Sequence, residues 1–221
     1  MCIAILTTPG KSLTAQVFDR CWNNNGHGVG FAYIDPNTKA VVIDKGWMVL
    51  EGARKRYFEI SQRYGKDFPV LIHFRAATVG EKNTNNCHPF KVKDGAMIHN
   101  GTFWRDSTAV KSDSAMLAEV MHNQLTYENL KKHKEQFQEA FGYNRVVFLF
   151  KDGNFHIVSE HYNNIRGQFG QWKDGIWYSN GGWNGGYNAY YGDDEALRLR
   201  LQMEENRYYG RGTRGMYGTD Y

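Results

Sequence analysis

The chain has 221 residues, which suits one domain, or one domain with a tail, and is long enough to bury a substantial core. Its formal charge of +4 comes from 27 Lys and Arg against 23 Asp and Glu. Because both signs are mixed along most of the chain, we expect no nucleic-acid partner.

No apolar run approaches the ~20 residues of a membrane-spanning helix. The N-terminus, from Met1 to Leu6, lacks the basic lead and the longer apolar run of a signal peptide. We therefore expect a cytoplasmic protein that does not bind membranes.

Short β-branched or aromatic runs, separated by turn residues, predict strands in the first third of the chain. The predicted strands cover residues 3–7, a hairpin of 28–34 and 40–44, and 70–74, with one helix over 51–64. The tripeptide Lys-Asp-Gly then occurs three times between β-like runs, at 93–95, 151–153 and 173–175. Asp-Gly is a strong hairpin signal because glycine accepts positive φ, so these repeats predict antiparallel sheet.

Two helices are predicted between the Lys-Asp-Gly segments, at 112–123 and 127–141. The first carries Met116, Leu117, Val120 and Met121 on one face, and so apolar a face most often packs in the core. Strands followed by two helices and then more strands predict an α+β fold, with helices packed on antiparallel sheet.

The composition changes after residue 180. Residues 181–187 are glycine-rich and loop-like, 193–206 show the spacing of one more amphipathic helix, and 208–221 are rich in Gly, Arg and Tyr. We predict one domain over residues 1–180, a C-terminal extension over 181–221, and no second domain.

The three cysteines (Cys2, Cys21 and Cys87) are an odd number without Cys-x-x-Cys spacing, so we expect neither a disulfide scaffold nor a zinc site. A small residue at position two lets methionine aminopeptidase remove Met1, which leaves Cys2 with a thiol and a free α-amine. That amine has an unperturbed pKa of about 7.7–8.0 and can act as the base for its own thiol. The alternative is a small buried hydrophobe at the start of a strand.

Other polar residues stand where predicted elements end or begin. Arg75 lies directly after a predicted strand, where its planar guanidinium group can bind a carboxylate through two hydrogen bonds. Asn100-Gly101 is usually just a turn, yet an amide side chain beside a glycine N–H also makes a two-donor oxyanion hole. Ser112-Asp113-Ser114 opens a helix, and its simplest interpretation is an N-cap.

Together these residues form an ordered set, namely Cys2, His73-x-Arg75-x-Ala77-Thr78-x-Gly80, Asn86-x-His88-Pro89, His99-Asn100-Gly101 and Ser112-Asp113-Ser114. In order and approximate spacing, the set resembles the glutaminase domain of class II glutamine amidotransferases, which are N-terminal nucleophile (Ntn) hydrolases. The resemblance covers roughly residues 1–179 and includes a late core strand at 176–179. It implies an αββα sandwich of two antiparallel sheets flanked by helices.

The resemblance also implies catalytic roles. Cys2 would attack the γ-carbonyl of glutamine and form a thioester. The side chain of Asn100 and the backbone N–H of Gly101 would stabilise the oxyanion.

Three residues would bind the amino-acid head group. Arg75 would hold the substrate α-carboxylate, with Thr78 lining that pocket, and Asp113 would pair with the α-amino group. The chain departs from the family at Ala76, at Val79 and at Ala115, and the gap from Gly101 to Asp113 is short. These departures bear on the substrate more than on the cysteine chemistry.

The remaining candidates favour structural roles. His88 and His99 are expected to hold loops near the site, and Cys21 and Cys87 to be packed residues. His156 and His161 lie five apart on a predicted strand and its exit, so they face opposite sides and do not suggest a metal pair. We expect no metal and no cofactor.

Relatives that make a product use the released ammonia in a second domain, and we predict none here. One interpretation is a stand-alone glutaminase subunit that delivers ammonia to a separate synthase in trans. A second is a hydrolase of another γ-glutamyl amide, and a third is a catalytically silent Ntn-fold module that binds or regulates. The first is favoured and the third is the least favoured, because a silent protein has no physical need for Cys2, Arg75, Asn100 and Gly101 together.

Overall fold

The computed structural model describes residues 2–77, 81–103, 108, 110–142, 144–159 and 170–184. The strands are β1 (Ile3–Thr7), β2 (Val29–Asp35), β3 (Ala40–Trp47), β4 (Val70–Phe74), β5 (Phe90–Val92), β6 (Gly95–Asn100), β7 (Arg145–Phe150), β8 (Phe155–Val158), β9 (Gln171–Lys173) and β10 (Ile176–Tyr178). The helices are α1 (Ala15–Asn24), α2 (Leu50–Arg63), α3 (Asp113–Met121), α4 (Tyr127–Lys132) and α5 (Lys134–Phe141), followed by a 3₁₀ turn at Gly181–Asn184.

These strands form two antiparallel sheets. The first has the order β3-β2-β4-β1-β10-β9, and the second has the order β5-β6-β7-β8. Each Lys-Asp-Gly segment joins two neighbouring strands, as predicted: β5 to β6, β7 to β8, and β9 to β10. Gly153 and Gly175 have φ of 87° and 80°, a conformation that glycine adopts without a steric penalty.

Side-chain alternation along β1 shows how the layers stack. Ile3 and Ile5 pack in a cluster with residues of α1 and α2, whereas Ala4 and Leu6 pack in a cluster with β6 and β7 of the second sheet. A third cluster joins the other face of the second sheet to α3, α4 and α5. The predicted α+β class and the αββα sandwich are therefore confirmed.

Two local predictions about helices were incomplete. The helix predicted at 127–141 is two helices, because His133 (φ −112°, ψ 30°) interrupts the backbone between α4 and α5. Helix α1 was not predicted, although its residues Val17, Phe18, Cys21 and Trp22 have helical spacing and pack on the core. Thr14 caps its N-terminus by accepting a hydrogen bond from the Val17 N–H.

The buried face of α3 agrees only in part with the prediction, because Leu117 and Met121 pack against the core cluster and Val120 does not. Ala115 and Ala118 are buried, whereas Val120 is 73% exposed. Small side chains on the inner face let the helix lie close to the second sheet, and Val120 falls on the opposite side.

The predicted helix at 193–206 and the tail at 208–221 lie outside the described residues. Among the residues that are described, no helix is long and apolar enough to cross a membrane.

Substitutions on α3 test this orientation. Val120→Gln should change the free energy of unfolding by no more than about 0.5 kcal/mol, because the side chain is exposed. Ala118→Gln should cost about 1–3 kcal/mol, since a longer polar chain must enter a packed interface. Urea unfolding of both variants measures the difference, and equal effects would contradict the orientation.

Candidate active site

Strand register brings Cys2 and Arg75 to the same end of the first sheet. Ile3 pairs with Phe74 across β1 and β4, so Cys2 and Arg75, one residue further along each strand, are neighbours. On the other side of β1, Ile5 pairs with Tyr178 of β10, so Ser179 and Asn180 continue toward the same end. Residues far apart in the chain thus meet where neighbouring strands of the first sheet begin or end, because the strands are antiparallel.

Asn100 reaches this place from the second sheet. Ala96 and Ile98 of β6 pack between the sheets, and Asn100, two residues further on, lies on the same face. Its Nδ2 donates a hydrogen bond to Ser179 Oγ at 2.8 Å, and that oxygen also accepts from the Ala4 N–H at 2.9 Å. Asn100 is therefore tied to β1 and β10 beside Cys2.

The Cys2 thiol is partly buried and held by backbone contacts. Its Sγ accepts a hydrogen bond from the Ala76 N–H at 3.3 Å and lies 3.4 Å from the Ala76 carbonyl oxygen. The carbonyl of Cys2 accepts from Asn180 Nδ2 at 2.8 Å. Burial raises the pKa of the Cys2 thiol, the Ala76 hydrogen bond and the Arg75 charge lower it, and the Asp113 charge raises it.

Arg75 is 3% exposed and anchored to the segment that follows it. Its Nη1 donates to the Glu81 carbonyl at 2.8 Å, and its backbone N–H donates to the Gly28 carbonyl at 2.9 Å. Two residues later, the Ala77 N–H donates to His27 Nδ1 at 3.0 Å. Thr78, predicted to line the carboxylate pocket, lies outside the described residues.

The capping role at the start of α3 belongs to Ser112, whose Oγ accepts from the Ala115 N–H. Asp113 is buried, and its Oδ2 accepts a hydrogen bond from the Phe103 N–H at 2.6 Å. Its charge raises the pKa of both Cys2 and His99. Asp113 thus combines a structural contact with a negative charge near the thiol.

Gly101 lies in a space that admits no side chain. A Cβ at this position would stand 1.9 Å from Asn144 Oδ1 and 2.7 Å from His99 Nε2. Asn144 Oδ1 also accepts from the Thr102 N–H at 2.7 Å. Close approach therefore requires glycine here and fixes the backbone that follows Asn100.

Three buried histidines pack behind this strand end. His73 Nε2 donates to the His99 carbonyl at 2.9 Å, and the His99 ring contacts Ser114 Oγ and Asn144 Oδ1. The rings of His73 and His88 are in contact, with centroids 3.8 Å apart and planes tilted by 32°. Burial lowers the pKa of His73 to about 3 and lowers those of His88 and His99. These neutral rings support the Asn100 backbone.

Asn86 connects the segment that anchors Arg75 to the start of α3. Its Nδ2 donates to the Glu81 carbonyl at 3.1 Å and to the Val110 carbonyl at 2.7 Å. Its Oδ1 accepts from the Ser112 N–H at 2.9 Å. The carbonyl that holds Arg75 and the helix that carries Asp113 therefore share one buried amide.

Of the predicted site residues, the described set of Cys2, Arg75, Asn100, Gly101 and Asp113 lies around one end of the interface between the two sheets. Cys21 and Cys87 are fully buried, as expected, and burial raises the pKa of Cys21 to about 12. Within the described ranges, no group of His, Cys, Asp and Glu side chains could hold a metal ion.

Sequence reasoning missed Ser179 and Asn180, which contact Asn100 and Cys2. It also missed His27, which contacts the Ala77 backbone. The one local signal for the first two is a polar pair directly after a buried strand.

No protein-family model matches the chain, and no curated protein matches it. Among solved structures, the chain is similar to the glutamine phosphoribosylpyrophosphate (PRPP) amidotransferase of B. subtilis, solved with ADP and GMP. The TM-score is 0.47 and the sequence identity is 14%. The similarity covers 80% of this chain and 41% of that one, so this chain spans well under two thirds of that enzyme. At this identity a likeness concerns the fold and says nothing of the activity.

The buried histidines predict how stability depends on pH. Their folded-state pKa values are lowered, so the unfolded chain binds more protons between the folded-state and unfolded values. Their contribution is fully present above about pH 6.5 and is lost as the pH falls below it. Urea unfolding at about pH 7 and pH 5, above most carboxylate titration, should show lower stability at pH 5.

His73→Gln should flatten this pH dependence, and His122→Gln is the matched control because His122 is exposed. A wild-type stability that does not change between the two pH values would contradict the assignment of neutral buried rings.

Proposed function

We propose that this chain hydrolyses the side-chain amide of glutamine through Cys2, as a stand-alone glutaminase subunit that releases ammonia to a separate acceptor enzyme. The observation that carries the proposal is the convergence of the Cys2 thiol, Arg75 and the Asn100 amide at one end of the two packed sheets. Each supplies a different requirement of amide hydrolysis: a nucleophile, a carboxylate partner and an oxyanion donor.

The charges near the thiol match an amino-acid substrate. Arg75 acts as a positive charge on Cys2 and Asp113 as a negative one. A zwitterionic head group would place its α-carboxylate toward Arg75 and its α-ammonium toward Asp113. The neutral side-chain amide would then extend toward the sulfur, which favours glutamine over a peptide amide.

A base is needed because burial raises the pKa of the Cys2 thiol and keeps it protonated. Once Met1 is removed, the α-amine of Cys2 supplies that base without any second side chain. The amine takes the thiol proton, and the sulfur attacks the γ-carbonyl carbon. The oxyanion that forms is stabilised by Asn100 Nδ2 and the Gly101 N–H.

The tetrahedral intermediate collapses when its C–N bond breaks. The protonated α-amine returns its proton to the leaving nitrogen, ammonia departs, and a thioester remains on Cys2. Water then attacks the thioester carbonyl, with the same amine accepting a proton, and glutamate is released with the thiol restored. Asn180 holds the Cys2 carbonyl and so fixes the orientation of the residue that bears both reacting groups.

The nucleophile is tested by intact-mass analysis with a diazo-ketone glutamine analogue. We expect a mature mass that lacks methionine and one adduct, which peptide mapping places on Cys2. Cys2→Ala should abolish both the adduct and glutamine turnover with unchanged circular dichroism. Cys87→Ala is the control, because its buried thiol should leave labelling and turnover intact.

The labelling experiment, together with turnover assays on other amides and with an acceptor enzyme, separates the three interpretations. Faster turnover of another γ-glutamyl amide than of glutamine would replace the proposed substrate. No adduct on a processed chain would instead favour a catalytically silent module. Ammonia release that rises when an acceptor enzyme is added would support the amidotransferase role.

The oxyanion role is tested at Asn100. Asn100→Ala should lower kcat by about 10²–10³-fold, because one of two donors to the developing negative charge is lost. Asn23→Ala, on the exposed side of α1, is the matched control and should leave kcat unchanged. Steady-state ammonia release measures both variants, and normal turnover by Asn100→Ala would rule out this role.

A further inference from the structure

An open cavity of about 340 Å³ lies between α3 and the β5 edge, and none of the residues that line it belongs to the cysteine site. One wall is a stripe of α3 at helical spacing, formed by Ala115, Ala118, Glu119 and His122. The facing residues come from β3, from β5 and from the segment before β5. The cavity is large enough for a small organic ligand.

The cavity carries an excess of positive charge. Three lysines line it, namely Lys45, Lys91 and Lys111. Glu119 is the acidic residue among the described lining residues, and it is already paired with Lys111. The ammonium groups of Lys45 and Lys91 are therefore not balanced by a carboxylate within the described lining.

The ammonium group of Lys45 is partly buried in this cavity. Its Nζ lies 4.2 Å from the ring centroid of Phe90 and donates to the Asn85 carbonyl at 3.2 Å. Within the described residues it forms no ion pair, although burial is sufficient to lower its pKa. Holding an ammonium partly away from water without a counter-charge costs free energy, which a bound anion would offset.

We propose that this cavity binds a small phosphate monoester, such as a sugar phosphate or a mononucleotide, with Lys45, Lys91 and Lys111 around the phosphate. Lysine is a common point-charge ligand for phosphate. A phosphate monoester carries about −1.5 to −2 charges near neutral pH. The two ammonium groups without an ion pair in the described lining, those of Lys45 and Lys91, balance this charge more fully than they would the single charge of a carboxylate ligand. The volume suits a compact ligand.

The walls of this cavity are also connected to Arg75 and Asp113, the residues proposed to bind the substrate head group. Asn86, next to the lining residue Asn85, bonds both the Glu81 carbonyl that holds Arg75 and the Ser112 N–H. Helix α3, which forms the other wall, carries Asp113. A bound phosphate would therefore shift the KM for glutamine more than kcat, a consequence that rests on the proposed function.

Calorimetric titration of the full chain with glucose 6-phosphate and with AMP tests the site directly. We expect saturable binding of at least one ester and none of glucose. Lys45→Gln and Lys91→Gln should each weaken it by about 10-fold, because a hydrogen bond to a charged group is lost. Lys66→Gln is the matched control, since Lys66 is exposed at the end of α2.

Three results would overturn the proposal: no saturable binding of either ester, equal weakening by Lys66→Gln, or binding of a poly-glutamate peptide in preference to the esters. The last would identify a docking surface for an acidic protein segment. Cys2→Ala should bind the ester with unchanged affinity, so a failure of the proposed catalysis would not affect this measurement. Lys91→Gln keeps the test valid if Lys45→Gln fails to fold.

Discussion

The hydrogen bond from Asn100 Nδ2 to Ser179 Oγ joins the end of β6 in the second sheet to the residue after β10 in the first. Both residues are buried, so either group left without its partner would cost about 1–3 kcal/mol. Ser179 Oγ also binds the Ala4 N–H, and Ser179 N–H binds the Ala4 carbonyl. This contact fixes the amide of Asn100 relative to Cys2, and the geometry of the site depends on it.

The two halves of the site are supported differently. The half that we propose binds the oxyanion stands on strand ends and is backed by His73, His99 and Asn144, which hold the backbone around Asn100. Rigid support of this kind suits a group that must be in position before charge develops. The half that we propose binds the substrate head group rests on the segment around Glu81 and on the start of α3, where the contacts are mostly to backbone carbonyls.

The different support of the two halves matters for the positions, such as Ala76, at which the chain departs from the glutaminase pattern. Ala76 meets the Cys2 sulfur through its backbone N–H, so the identity of its side chain leaves that contact unchanged. Both carboxylate oxygens of Asp113 accept hydrogen bonds, Oδ2 from the Phe103 N–H and Oδ1 from the N–H and hydroxyl of Ser114. An ionised carboxylate has about four acceptor sites, so one is left for an ammonium group. Variation in the substrate is therefore easier to accommodate in the head-group half than variation in the chemistry around Cys2.

The sequence by itself determined the elements whose signals are local. The Lys-Asp-Gly hairpins follow from turn chemistry, β1 and β4 from their apolar runs, and the N-cap at Ser112 from its side chain. Cys2, Arg75 and Asn100 were also visible, because each stands at the edge of a predicted element. Helix α1 was missed although its signal is also local, since Val17, Phe18, Cys21 and Trp22 follow the helical period and pack on the core.

Only the tertiary structure decided which strand ends meet. Ser179 and Asn180 gained their roles when β10 paired with β1 across some 175 residues of chain, as in the bond from Ala4 to Ser179. Sheet order and register arise from the packing of whole layers, and a short segment contains no information about its distant partner. The exposure of Val120 has the same origin, since the face of α3 toward the second sheet is centred on Ala115 and Ala118, and Val120 lies on the opposite side.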